Sequence, residues 1–192
     1  MKASEVLQAA IEDIDAGKWV CGELHEKNFD LGPNPKEMAC AVGLVSIHSG
    51  DTKTIKVSEK DIPDWLKDQD ELQELSVEKS SGPNSGVSCR IYREAGIKLG
   101  DTFEVARYPK KGSPQETKDA IKYLHQAIPD TSDPEDEWSV PLKTDTKKLE
   151  RQVNEVVNYN DHELSYEEDI SLPEAAKKWF ENALSLALKD GN

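Results

Sequence analysis

The ten residues Met38-Ala-Cys-Ala-Val-Gly-Leu-Val-Ser-Ile47 constrain this chain more than any other stretch. Read as a helix, they are apolar on nearly every side, and such a helix has to be buried all round. Only 36% of the 192 residues are hydrophobic and 32% are charged. A chain with so few apolar residues to spare must gather them around this one element. Asn34-Pro35-Lys36-Glu37 reads as its start, with Asn as the cap, Pro at the first helical position and Glu37 reaching back as in a capping box. Gly43, inside the helix, costs about 1 kcal/mol relative to Ala. Close approach of another backbone is the expected reason for it. Gly50 ends the helix. The run is too short to cross a bilayer.

Periodicity places the other elements around it. Val6, Leu7, Ala10, Ile11 and Ile14 predict a helix over 4–16, ended by Gly17. Val20, Gly22 and Leu24 suit one face of a short strand, and 31–35 is a loop. Thr52–Val57 and Thr102–Tyr108 read as strands. Pro63–Leu75 reads as an acidic amphipathic helix, 80–86 as a loop, and Val87–Ala95 as a helix closed by Gly96. Ser113-Pro114 opens a helix through Ala127. Pro129–Pro141 is an acidic, proline-punctuated loop, and Lys147–Val157 is another helix. Ser171-Leu-Pro-Glu174 is a capping box before a last helix carrying Trp179, Phe180, Ala183 and Ala187. The fold class expected is mainly α: one compact helical domain, 1–192, of about six or seven helices with minor short β-strands.

With 24 Lys and Arg against 38 Asp and Glu, the net charge is −14. That opposes direct nucleic-acid binding, which depends on neutralising phosphates, and opposes an anionic membrane surface. The acids are concentrated. Glu59–Glu78 holds eight acids against two lysines, and Asp130–Glu137 holds five with no base. Asp161–Glu174 holds six with no Lys or Arg. The simpler reading is a solvated surface. The sharper one is a surface that docks on a basic partner or mimics nucleic acid. Its carriers would be Asp64, Asp68, Asp70, Glu71, Glu74, Asp133, Glu135, Asp136 and Glu137. The first residues, Met1-Lys-Ala-Ser-Glu5, lack a signal-peptide apolar stretch. Three cysteines, Cys21, Cys40 and Cys89, form no CxxC, and the four histidines do not cluster. Reduced thiols in a cytoplasm are expected, with no metal and no cofactor.

Three short motifs stand at the two ends. They are Gly17-Lys-Trp19-Val-Cys-Gly22, Met38-Ala-Cys40-Ala41-Val-Gly43-Leu44, and Val156-Val-Asn-Tyr-Asn160-Asp161 before the final helix. Together they resemble an uncharacterised family of small proteins from actinobacteria and their phages. Its pattern is Gly-Trp-x-x-Gly, then Cys-Ala-x-Gly-Ala/Leu, then aromatic-Asn-Asp. Tyr159 stands here where tryptophan is commoner. The resemblance covers 4–47 and 147–188 and leaves 50–145 as an enlarged middle segment. It implies a shared α-rich core and a phage or bacterial origin, and it implies no activity.

Cys40 is the one candidate nucleophile, near a helix start where backbone N–H groups favour a thiolate. His48 or His162 would be its base, with Asn160 or Asp161 orienting it. Its apolar neighbours argue instead for a small core residue. His48, eight residues on, would lie about 12 Å along the helix, beyond hydrogen-bond reach. Asn160-Asp161 reads as a cap for the segment that follows. A ligand pocket lined by Trp19, Cys40, Asn160 and Asp161 is the alternative. No complete catalytic constellation is present, so the balance lies against an enzyme. The expectation is a phage-type accessory protein that acts in the host cytoplasm by binding a host or defence protein with a basic face. A small-molecule or nucleotide binder and a Cys40-dependent hydrolase are the alternatives.

Overall fold

Apolar residues three and four apart make α1, Ala3–Asp15, a helix with one buried stripe: Ala3, Val6, Leu7, Ala10, Ile11 and Ile14. Gly17 ends it in the left-handed region, at φ 72°, a conformation that costs glycine nothing. The computed structural model describes residues 1–22, 24–28, 36–56, 58, 74–75, 89–92, 100, 102–129, 145–164 and 171–192. After α1 come β1 (His25–Asn28), β2 (Lys36–Met38), α2 (Ala41–His48) and β3 (Thr52–Lys56). Next are β4 (Glu74–Leu75), β5 (Cys89–Tyr92), β6 (Thr102–Ala106) and α3 (Gln115–Gln126). Last are α4 (Asp145–Asn158), a π-helical turn (Tyr159–Glu163) and α5 (Leu172–Lys189). The fold is mainly α, with five α-helices among the described residues.

The strands form two small sheets. One has the order β2-β1-β5-β4, with β1 parallel to β5 and antiparallel to β2. The other pairs β3 antiparallel to β6, Thr52 opposite Ala106 and Lys56 opposite Thr102. Three expectations are corrected here. The central helix begins only at Ala41, after an extended Cys40, so the Asn-Pro-Lys-Glu start does not operate. Lys36–Met38 pairs with β1 instead, and cross-strand bonding overrides a local helix signal. Glu74–Leu75, expected at the end of a helix, is strand β4. Cys89–Tyr92, also expected as helix, is β5, between β1 and β4. Both have ladder partners that a local reading does not supply. The rest of 63–75 and 87–95, and the loops 31–35, 80–86 and 130–141, lie outside the described residues.

The central helix is as buried as its composition demands. Ala41 to Ser46 are all buried. It packs against α1, α3, α4 and β6. α1 packs further on α5 and α3, and α3 on α4 and α5, so the apolar stripes close on one core. Trp179 sits in it edge-on to Tyr159, 4.8 Å away, and to Phe180, 5.6 Å away. Its indole N–H donates to the Leu124 carbonyl at 2.8 Å, so the buried donor is satisfied. At the start of α5 the Glu174 carboxylate accepts from the Ser171 N–H at 3.1 Å and hydroxyl at 2.7 Å.

Polar ties fix the helices' mutual positions. His48, in the last turn of α2, meets Asp13 of α1 at 2.8 Å, and Lys18 reaches the same carboxylate at 2.7 Å. His125 of α3 and Arg151 both bond Glu155 of α4. Burial works to raise the Glu155 carboxyl, but these two partners outweigh it and hold it below its ordinary value. Asp51, fully buried, takes the Arg107 Nε at 2.8 Å, while its carbonyl accepts the Arg107 N–H at 3.1 Å. Ser46 donates to the Arg107 carbonyl at 2.7 Å. The end of α2 is thereby tied to the residue that follows β6. His25, buried, accepts the Ala106 N–H on Nδ1 at 2.9 Å, which links β1 to β6.

Gly43 bears the close approach its position implied. A Cβ there would fall 1.8 Å from the Leu24 carbonyl oxygen and 2.8 Å from the Ala39 Cβ. Helix propensity alone makes Gly43→Ala stabilising by about 1 kcal/mol. The steric clash makes it destabilising, by about 2–3 kcal/mol or more. The sign of the change in urea unfolding decides between them, and a more stable variant would refute the close approach.

Candidate functional site

Asn160 lies in the π-helical turn between α4 and the last helical segment, and its side chain is buried. A π turn inserts a residue and re-aims the side chains of one helical face. Here it aims an amide at the other end of the chain. Asn160 Oδ1 accepts the Trp19 indole N–H at 2.8 Å and the Ala41 backbone N–H at 3.1 Å. Its Nδ2 donates to the Asp161 Oδ1 at 2.7 Å and to the Val20 carbonyl at 3.4 Å. Both lone pairs and both protons of the amide are therefore used. Asp161 Oδ1 also accepts the Gly22 N–H at 2.8 Å, and the Cys21 thiol donates to the Asn160 carbonyl at 3.3 Å.

Trp19 reaches this position because Lys18–Val20 runs alongside Ala39. The Ala39 N–H donates to the Lys18 carbonyl at 2.9 Å, and the Val20 N–H donates to the Ala39 carbonyl at 3.1 Å. One residue later Cys40 caps α2 in an extended conformation. Three of the residues nominated from sequence, Trp19, Asn160 and Asp161, thus share one hydrogen-bonded cluster, and Cys40 stands beside it. Cys40 is 2% exposed. Burial pushes its thiol up to about 12, with Asp161 and Cys21 adding to the rise and the Gly43 and Val42 N–H groups opposing it. A thiol so placed is a core residue in the closed structure. Burial and then Asp161 also raise the Cys21 thiol.

The Asp161 carboxylate turns back to Gly22 and Asn160, and among the described residues it caps no following segment. Nor does His48 serve Cys40: it faces Asp13 of α1 from the far end of α2. His162 is exposed on the π turn. The partners that sequence reasoning did not nominate are Cys21, Gly22 and the Ala41 N–H. The first two lie inside the Gly17–Gly22 motif, and a backbone donor leaves no trace in composition. Asp64, Asp68, Asp70, Glu71, Asp133, Glu135, Asp136 and Glu137 lie outside the described residues, and Glu74 falls in β4. Among the described residues no group of three His, Cys, Asp or Glu is placed to hold a metal ion. None of their helices is long and apolar enough to cross a membrane. No protein-family model, curated protein or solved structure matches the chain.

Two outcomes follow from the cluster. Asn160→Ala strands the Trp19 and Ala41 donors and should cost about 2–4 kcal/mol in urea unfolding; a loss below about 0.5 kcal/mol would show the amide to be dispensable. Cys40 sets an alkaline limit. Its folded pKa is raised, so its contribution is complete below about pH 9 and is lost as the pH climbs toward 12. The loss approaches about 1.4 kcal/mol per pH unit. Between pH 8 and pH 10.5 the wild type should lose more stability than Cys40→Ala does, and equal losses would contradict the buried thiol.

Proposed function

We propose that this protein is a non-enzymatic binding protein of phage type that docks on the basic face of a host or defence protein through its acidic segments. The observation that carries this reading is where the charge lies. Glu59–Glu78 holds eight acids against two lysines, and Asp130–Glu137 holds five with no base. These two stretches carry a net −11 of the chain's −14. Packing and ion pairing explain the charges of the helical core, but they do not call for such an excess elsewhere. Charge of one sign, concentrated in a few segments, steers a partner of opposite sign and raises its rate of association. At the cluster, the Asn160 amide has all its groups paired within the chain and the Cys40 thiol is buried.

The experiment is affinity capture by the tagged chain at about 50 and 500 mM salt, followed by association kinetics with the captured partner. The comparison is a variant carrying Asp64→Asn, Asp68→Asn, Asp70→Asn, Glu71→Gln and Glu74→Gln. Capture should be lost at the higher salt, and the variant should associate about tenfold more slowly or worse. Equal rates and equal salt dependence for the two proteins would sink the docking surface.

A further inference from the structure

Lys18–Gly22 crosses the N-terminal end of α2 without a single fully buried residue. Lys18, Trp19, Val20 and Cys21 are partly buried and Gly22 is exposed. The residues it covers or adjoins are of another kind: Leu24 and Cys40 are almost inaccessible, and Ala39 and Ala41 wholly so. The segment is bracketed by two glycines in the left-handed region, Gly17 at φ 72° and Gly22 at φ 82°. At Gly22 a Cβ would meet nothing within 4 Å, so the backbone there is uncrowded. Its attachments are mainly hydrogen bonds: two to the backbone of Ala39, two from Lys18 to Asp13 at the end of α1, and the rest to Asn160 and Asp161, while the partly buried Trp19 ring packs against the core.

A segment held by partly exposed hydrogen bonds, with no fully buried residue of its own, belongs to the less stable part of a fold. Each such bond contributes little net free energy, because water replaces it when it breaks. Glycines at its two ends absorb the backbone rotations that displacement requires. We propose that Lys18–Gly22 is a strap that opens on its own, without unfolding of the helical core, and that Asn160 and Asp161 are its latch. Opening uncovers Cys40 at the N-terminus of α2. The strap thereby determines when that thiol meets solvent. The inference is independent of the acidic docking surface, which lies in other segments.

The test is labelling of the native full-length chain with N-ethylmaleimide, read at Cys40 by peptide mass spectrometry. The wild-type rate should be slow and insensitive to low urea. Asp161→Ala, which frees Gly22 and one proton of the Asn160 amide, should label about tenfold faster. Trp19→Phe, which keeps the ring and removes only the indole N–H, should label several-fold faster. Val6→Ala weakens α1 in the core and should leave Cys40 labelling at the wild-type rate while lowering global stability. Three results would overturn the strap. Cys40 could label only with the urea dependence of global unfolding. Val6→Ala could accelerate it as much as Asp161→Ala does. Both latch variants could label at the wild-type rate.

Discussion

The Asn160 carboxamide joins parts of the chain that nothing local connects. It satisfies the Trp19 indole, the first backbone donor of α2 and the Val20 carbonyl at once. The Ala41 N–H would otherwise be an orphan at the start of a buried helix, since Cys40 is a poor cap compared with Ser or Asp. A buried amide is stabilising only when all its groups are paired. Here they are, and the π turn that re-aims Asn160 is explained by the geometry it has to meet. Gly43 obeys the same logic of close fit. The chain that carries Trp19 continues into Leu24, whose carbonyl occupies the space a side chain at 43 would need.

The fold was legible wherever one face of an element is buried. α1, α3, α4 and α5 lie within a few residues of their apolar periodicities. β3 and β6 also fall where alternation put them. What failed was decided by partners remote in sequence. The Asn34–Glu37 signal for a helix start is locally sound, yet Lys36–Met38 pairs with β1. Cys89–Tyr92 reads as part of a helix in sequence but lies between two strands in space. Strand pairing of this kind is a property of two segments, and one segment cannot announce it.

The cluster was half legible. Trp19, Asn160 and Asp161 were recognisable as chemically unusual residues for a helical protein, and so was Cys40. Their roles were not, because an unusual side chain is equally suited to a ligand and to a neighbour. What only coordinates add is the saturation of the Asn160 amide and the burial of Cys40. The roles of the acids are similar. Composition gives the total charge, but only the placement of elements separates charges that tie helices together, such as Asp13, Asp51 and Glu155, from those that do not.

The hydrogen bond from Trp19 to Asn160 spans 141 positions of the chain, and that from Gly22 to Asp161 spans 139. Closing a loop of that length is entropically costly before any contact rewards it. The packing of α1 on α5 spans a still longer stretch and brings the two ends together, while the α1, α2 and α3 contacts order far less chain. The order of events during folding follows: the helical stripes collapse first, and the amide of Asn160 finds its partners only after both ends have been brought into place. Substitutions at Trp19, Asn160 and Asp161 should therefore raise the unfolding rate more than they lower the folding rate. The motifs at the two ends of the chain act as a kinetic lock on a structure that its central helix has already organised.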